Sequence, residues 1–313
     1  MTGSKDVRRA WIAWFAICVI WGTTYLAIKV ALGTIPPLLT GGLRYLIATV
    51  IMITLLKVQR RPFPPRSAWP AQALIGFAML GLGNGGVVIA EQYLTSGLTA
   101  VLVGTSPFWM VGIDALFPDG QRLRLQQLVG MTVGFLGIVL LVWPDLTRAA
   151  ELGTTPPYRQ GPRTAEVIVG IVAVQVACMG WSIASSYSKR HHSTDVIGMA
   201  TLQMMFGGIL MTVVATLRGE WSQLSFTPST LGALAYLAVL GSVVAFVAYS
   251  YALKHLPISV VSLYTYVNPV IAVALGALLL SEPFGARQMM AAGVIALGMF
   301  IVRPNKQPEG EVS

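Results

Sequence analysis

Cys18-Val19-Ile20-Trp21 recurs 160 residues later as Cys178-Met179-Gly180-Trp181. Lys29 has its counterpart in Lys189 and Pro144 in Pro304 at the same offset, and Pro107 has its counterpart in Pro269 two residues further on. The chain therefore reads as two copies of one unit. The first copy is residues 1–144 and the second is residues 166–304, with a linker at 145–165 and a tail at 305–313. A fixed internal offset is the sequence signature of a duplicated architecture.

Composition decides the solvent of that architecture. Hydrophobic residues make up 55% of the 313 and charged residues 11%, with a mean hydropathy of +0.70. Soluble domains carry about 25% charged residues, so this chain must hide most of its surface in a lipid bilayer. The net charge of +9 is no argument for nucleic acid, because most basic residues fall at the ends of apolar segments, where they anchor to headgroups.

Ten apolar segments approach or exceed the roughly 20 residues that a helix needs to cross the hydrocarbon. They are Ala10–Ile28, Val30–Leu56, Ser67–Ala90, Gln92–Ile113, Leu125–Pro144, Val167–Ser188, Val196–Leu217, two within Trp221–Leu253 and His255–Ser281, and the short Gln288–Val302. With a cytoplasmic N-terminus, fourteen Lys and Arg lie inside, five lie outside, and Lys29 and Arg44 lie within the membrane. The positive-inside rule then puts both termini in the cytoplasm. Five spans per copy reverse the second copy relative to the first. The expected fold is an all-α integral membrane protein, ten transmembrane helices arranged as two inverted five-helix repeats. Such repeats place a substrate site between the halves. The first segment is too long for a signal-peptide core, and no small-residue cleavage site follows it.

Trp21-Gly22-Thr23-Thr24-Tyr25 followed by Gly42-Leu43-Arg44-Tyr45-Leu46-Ile47-Ala48, and then Tyr251-Ala252-Leu253-Lys254, Asn268-Pro269 and Leu279-Leu280-Ser281-Glu282, resemble the EamA-type transporters of the drug/metabolite transporter superfamily. The likeness covers about residues 10–304. It implies a ten-helix exporter of small metabolites in the inner or plasma membrane. Similar proteins carry a Glu after span four to match Glu282; here Pro118-Asp119-Gly120 stands there.

Three kinds of residue mark candidate sites. Lys29 and Glu91 share a depth roughly 6 Å from their helix ends, and Arg44 lies roughly 12 Å inside span two. Ionisable groups at such depths face a cavity or a partner. Together they read either as a carboxylate-binding or proton-linked site, or as a static ion-pair network. Asn84 shares a helix face with Glu91, among Gly81, Gly83, Gly85 and Gly86. Those glycines serve close packing or let a ligand approach the backbone. Pro107 and Pro269 are expected to interrupt spans four and nine, freeing backbone carbonyls that need partners. Thr105, Ser106, Tyr264, Thr265, Tyr266 and Asn268 surround them. Trp21 and Trp181 lie deep in their spans. With Thr24, Tyr25, Ser182 and Ser185 they give a mixed aromatic and hydroxyl face, suited either to a small amphipathic ligand or to buried packing. Asp114 is expected to anchor to Arg122 or Arg124, and the histidines to be solvated.

No P-loop, metal-ligand spacing or catalytic triad is legible, so neither cofactor nor metal is expected. The reading is a secondary transporter exporting an amino-acid-like or amphipathic metabolite by alternating access, with protons as one candidate coupling ion through Glu91. The alternatives are an exporter of cationic drugs, an intramembrane lipid enzyme and a non-transporting scaffold. Lys29 stands where a cation exporter needs a carboxylate.

Overall fold

The computed structural model describes residues 4–90, 93–94, 96–120, 124–152, 164–191, 195–280 and 285–302. Glu91 lies outside the described residues, as do residues 153–163 of the linker, the tail, and the side chains of Tyr25 and Lys29. Helix is the only regular structure among the described residues. Seven helices are long and apolar enough to cross a membrane, and three shorter apolar helices cover Val101–Ala115, Ile258–Ile271 and Ala286–Val302. Ile168, Val169, Val172 and Val176 are about half exposed along one helix face. A contiguous apolar face of that kind requires hydrocarbon around it.

The first half begins with α1 (Ser4–Ala31) and α2 (Pro37–Val58). Its third span is α3 (Trp69–Gly76), a π-helical segment Phe77–Asn84, and α4 (Gly85–Ala90). Then follow α5 (Ser96–Val103), α6 (Ser106–Ala115) and α7 (Leu125–Leu152). The second half runs α8 (Thr164–Arg190), α9 (Val196–Leu217), α10 (Pro228–Tyr236), a π-helical segment Leu237–Val244, α11 (Ala245–His255), α12 (Ile258–Val261), α13 (Tyr264–Leu280) and α14 (Ala286–Val302). The two π-helical segments are themselves 160 residues apart, as are the starts of α1 and α8.

Helices at matching positions pack on each other. A Cβ on Gly42 would meet Thr212, and one on Gly208 would meet Tyr45 and Leu46, so α2 and α9 lie antiparallel at close range. The same holds for α7 and α14, where Gly130 opposes Gly298 and Val302 while Gly137 opposes Ala291 and Ile295. Both ends of the α2–α9 pair are fastened by polar groups. At one end the Leu39 N–H donates to Glu220 Oε2 (3.0 Å), which satisfies an orphan donor of the α2 N-terminus. At the other end Asp195 caps α9 by accepting from the Gly198 N–H (3.0 Å) and pairs with Arg61 (2.7 Å). Gly219 makes the turn before Glu220 with φ of 71°, a conformation that costs glycine nothing.

Several expectations change. Helix α7 continues past Pro144 to Leu152, so the first part of the expected linker is helical. Asp114 is held by Arg190, not by Arg122 or Arg124: Nη1 donates to its carboxylate at 2.7 Å, and Nε donates to Asp119 at 2.7 Å. Pro107 is not in mid-helix. It sits in the first turn of α6, where its missing N–H is an orphan donor anyway. The fourth span is interrupted just before it, at Gly104–Thr105. In the ninth span the break falls at Ser262–Leu263, and α13 runs on through Pro269.

Candidate functional site

Helix α1 packs on the α10–α11 span and on α13, and α8 packs on the α3–α4 span and on α6. Each half thus lends its first helix to the other half. The equivalent Trp21 and Trp181 meet where these helices approach, edge to face, with ring centroids 5.8 Å apart. Tyr249 lies 5.4 Å from Trp21 and 5.5 Å from Trp181, and Tyr264 lies 4.9 Å from Trp21 and 5.8 Å from Tyr249. These four rings fill the centre of the molecule. Edge-to-face pairs contribute about 0.5–1.5 kcal/mol beyond their buried area.

Every polar atom around Tyr249 and Trp181 finds a partner. The Trp181 indole N–H donates to the Tyr249 hydroxyl at 3.0 Å. The Tyr249 hydroxyl lies 2.6 Å from Ser185 Oγ, and Ser185 Oγ donates to the Trp181 carbonyl at 2.6 Å. Ser185 has a single proton and gives it to that carbonyl, so Tyr249 is the donor in the bond between them. The three groups form a closed chain of donors. Tyr249 is 1% exposed, so none of these bonds is shared with bulk solvent.

Trp21 takes a different partner, and the cause lies in the π-helical segment Leu237–Val244. A π-helical turn disturbs the regular backbone ladder, and within a membrane displaced polar groups need partners inside the protein. The Gly241 carbonyl accepts from the Trp21 indole at 3.0 Å and from Arg44 Nη2 at 3.3 Å. Arg44 Nε donates to Ser242 Oγ at 3.0 Å, and that hydroxyl donates back to the Leu237 carbonyl, also at 3.0 Å. Arg44, 7% exposed, therefore ties span two to the π-helical segment of span eight. Thr24 is buried beside it, its hydroxyl donating to the Trp21 carbonyl at 2.7 Å.

Asn268 is buried on α13. With its amide set to suit both neighbours, its NH2 donates to the carbonyls of Cys18 (3.1 Å) and Tyr264 (3.0 Å). Ser106 Oγ donates to the Val103 carbonyl across the α5–α6 break (2.6 Å) and lies 3.2 Å from Cys178 Sγ. Both cysteines are buried free thiols. Trp21, Thr24, Trp181, Ser185, Tyr264 and Asn268 thus lie on the helices that meet at the centre. Asn84 closes the other π-helical segment and is half-buried, away from the four rings' hydrogen bonds. Sequence reasoning missed Tyr249, Gly241, Ser242 and Glu220. The offset of 160 from Gly81 to Gly241 was the available signal for the Gly241–Ser242 pair.

Two openings flank the rings. One is an apolar groove of about 530 Å3 walled by Gly81, Gly85, Gly86, Ile89, Val172, Val176 and Leu210. The other is a small polar cavity of about 30 Å3 near Lys189, Lys254, Gln72 and Gln203. Along α8 the order is groove (168–176), Trp181, Ser185, cavity (188–189).

Fold and site together define a multi-pass membrane protein whose two halves exchange helices around an aromatic centre, the organisation of a transporter. The chain belongs to the EamA-like transporter family, whose model matches residues 9–143 and 168–303. It is 32% identical over 299 residues to the uncharacterized inner membrane transporter YedA of Escherichia coli strain K12, covering 94% of this chain and 90% of the relative. It is 25% identical to the uncharacterized transporter YoaV of Bacillus subtilis strain 168, covering 91% and 94%. A crystal structure of a protein 19% identical shares the fold, with a TM-score of 0.72 over 93% of this chain and 95% of the other.

Proposed function

We propose that the protein is a secondary active transporter that exports a small amino-acid-like or amphipathic metabolite by alternating access between two inverted repeats. The observation that carries this reading is the four-ring cluster. It joins α1, α8, α11 and α13 and stands between the groove and the polar cavity. A plug between two openings is what alternating access requires, because one opening must be sealed while the other is loaded. The antiparallel packing of α2 on α9 and of α7 on α14 supports inverted repeats. Equivalent helices related by a two-fold axis in the membrane plane pack in that way.

In this reading Trp21, Thr24, Trp181, Ser185, Tyr264 and Asn268 line the substrate path, and Tyr25 and Asn84 extend it. Arg44 fixes span eight against span two. Lys29 and Glu91 supply the charge for coupling to protons. Both termini are cytoplasmic, so the groove lies at the outer side and the polar cavity at the inner side.

The test is counterflow in proteoliposomes loaded with unlabelled metabolite pools. Saturable uptake of a labelled amino acid or amphipathic compound is expected, with at least a tenfold loss in Trp21→Ala. Absence of counterflow for every pool refutes transport. Proton coupling has its own readout: Glu91→Gln abolishes pH-driven flux, and unchanged flux removes Glu91 from the mechanism.

A further inference from the structure

The polar cavity is a built site. Gln72 on α3 and Gln203 on α9 are 6% and 3% exposed, and they face each other, with the Gln203 NH2 donating to the Gln72 carbonyl oxygen at 2.5 Å. That bond uses one hydrogen of Gln203 and one oxygen of Gln72. Among the described residues, the Gln72 NH2 and the Gln203 carbonyl oxygen have no protein partner. Both side chains line the cavity. A buried amide pair in a membrane span costs free energy unless those remaining groups are met, so the floor of the cavity offers a ligand one donor face and one acceptor.

The walls add charge. Lys189 and Lys254 line the cavity with Ser188 and Ser250. The Lys189 ammonium donates to the Leu256 carbonyl at 3.1 Å, which uses one of its three donors. No Asp or Glu is among the lining residues. Two lysines favour an anion and disfavour an ammonium group. A volume of about 30 Å3 holds about two water-sized groups. That suits the polar end of a small molecule and excludes a sugar or a nucleotide.

We infer that this cavity binds a small 2-hydroxycarboxylate: the carboxylate lies toward Lys189 and Lys254 and accepts from the Gln72 NH2, and the hydroxyl donates to the Gln203 carbonyl. The inference rests on the transport reading above and sharpens its substrate class. A hydroxyl meets the acceptor of Gln203 without charge, whereas the α-ammonium of an amino acid meets two lysines. A plain carboxylate leaves the Gln203 oxygen unmet.

The experiment is calorimetric titration of the purified full-length protein in nanodiscs with glycolate, acetate and glycine, at ionic strength matched with chloride. Glycolate is expected to bind saturably, at least tenfold more tightly than acetate, with glycine weakest. Gln203→Met is expected to bring glycolate down to the acetate level, and Lys254→Gln to weaken both anions alike. The inference is overturned if acetate and glycolate bind equally, if glycine binds tightest, if none binds, or if Gln203→Met leaves the preference intact. Circular dichroism melts separate unfolding from lost binding. Counterflow separates the two readings: flux of other metabolites without glycolate binding sinks only this site, and glycolate binding without any flux sinks only transport.

Discussion

Tyr249→Phe deletes one oxygen from the centre of the molecule and nothing else. In the wild type that oxygen accepts from the Trp181 indole at 3.0 Å and bonds Ser185 Oγ at 2.6 Å, in a side chain 1% exposed. The phenylalanine ring keeps the contacts with Trp21, Trp181 and Tyr264, so packing changes little. What changes is that the indole N–H loses its acceptor in a space too small for water. Leaving a buried donor unmet costs about 1–3 kcal/mol. Hydrogen-bonded pairs inside membrane proteins have measured couplings of about 0.6 kcal/mol on average and about 1.7 at most. The Tyr249–Trp181 pair belongs at the upper end, because the phenol serves two partners at once. A double-mutant cycle of Tyr249→Phe with Trp181→Phe, read by unfolding in mixed micelles, should give a coupling of about 1–1.7 kcal/mol. A cycle with Phe246→Leu, a neighbour without a polar group, should give only the small term of apolar contact. If the Tyr249–Trp181 coupling is below about 0.3 kcal/mol, the chain of donors at the centre is not a stabilising unit and the reasoning fails.

Arg44→Lys keeps the charge but loses the fork that reaches both Ser242 Oγ and the Gly241 carbonyl. It should destabilise by about 1.5–3 kcal/mol in the same unfolding assay, and a cost near zero would remove the span-two clamp. Glu220→Ala takes away the carboxylate bonded to the Leu39 N–H. Loss of a cap costs about 0.5–2 kcal/mol, checked by micelle unfolding and by faster amide exchange at the start of α2. Gly85→Ala has open space around the new Cβ and should be neutral within about 0.5 kcal/mol. Gly298→Ala would drive a Cβ into the Gly134 backbone and should abolish folding or separate α7 from α14. The Arg190 hydrogen bond holds the Asp119 carboxyl below its ordinary value of 3.8. The stability it contributes is therefore full above the ordinary carboxylate range and is lost as pH falls through the folded-state value, so Asp119→Asn should flatten the acid limb of a melting-temperature profile.

The membrane class was legible in the sequence because it rests on composition and segment length, which no tertiary contact can override. The duplication was legible because Cys18/Trp21 and Cys178/Trp181 are rare residue types at identical spacing. The helix breaks were misplaced for a physical reason. Proline marks where a helix can start as well as where it is broken, and Pro107 starts α6 while Pro269 is carried inside α13. The π-helical segments left no compositional trace of their own, since Phe77–Asn84 and Leu237–Val244 read as ordinary apolar helix. Arg44 was recognised as costly, yet its partners are a hydroxyl and a carbonyl. A search for opposite charge looks past such groups. Tyr249 was invisible for a similar reason: its role comes from the far-off Trp181 and Ser185, not from its neighbours in the chain.

The two halves diverged at the positions that decide access. Gly85, Gly86 and Ile89 line the groove, while the residues 160 positions later are Ala245, Phe246 and Tyr249. Phe246 and Tyr249 are 2% and 1% exposed. Those side chains fill in one half the space that glycine leaves open in the other. Likewise Arg44 and Ser242 clamp spans two and eight, whereas Met204 and Leu82 at the matching positions cannot form such a bond. A strictly symmetric pair of repeats would open equally on both sides. Here one side is bolted by Arg44, Trp21 and Gly241, and the other rests on glycine and aliphatic contact. Gly85→Phe tests this directly, because it rebuilds the bulk of the second half in a space that has room for it. It should preserve the fold in a circular dichroism melt and cut flux at least tenfold. Full flux with the groove filled would mean that access does not run along that face.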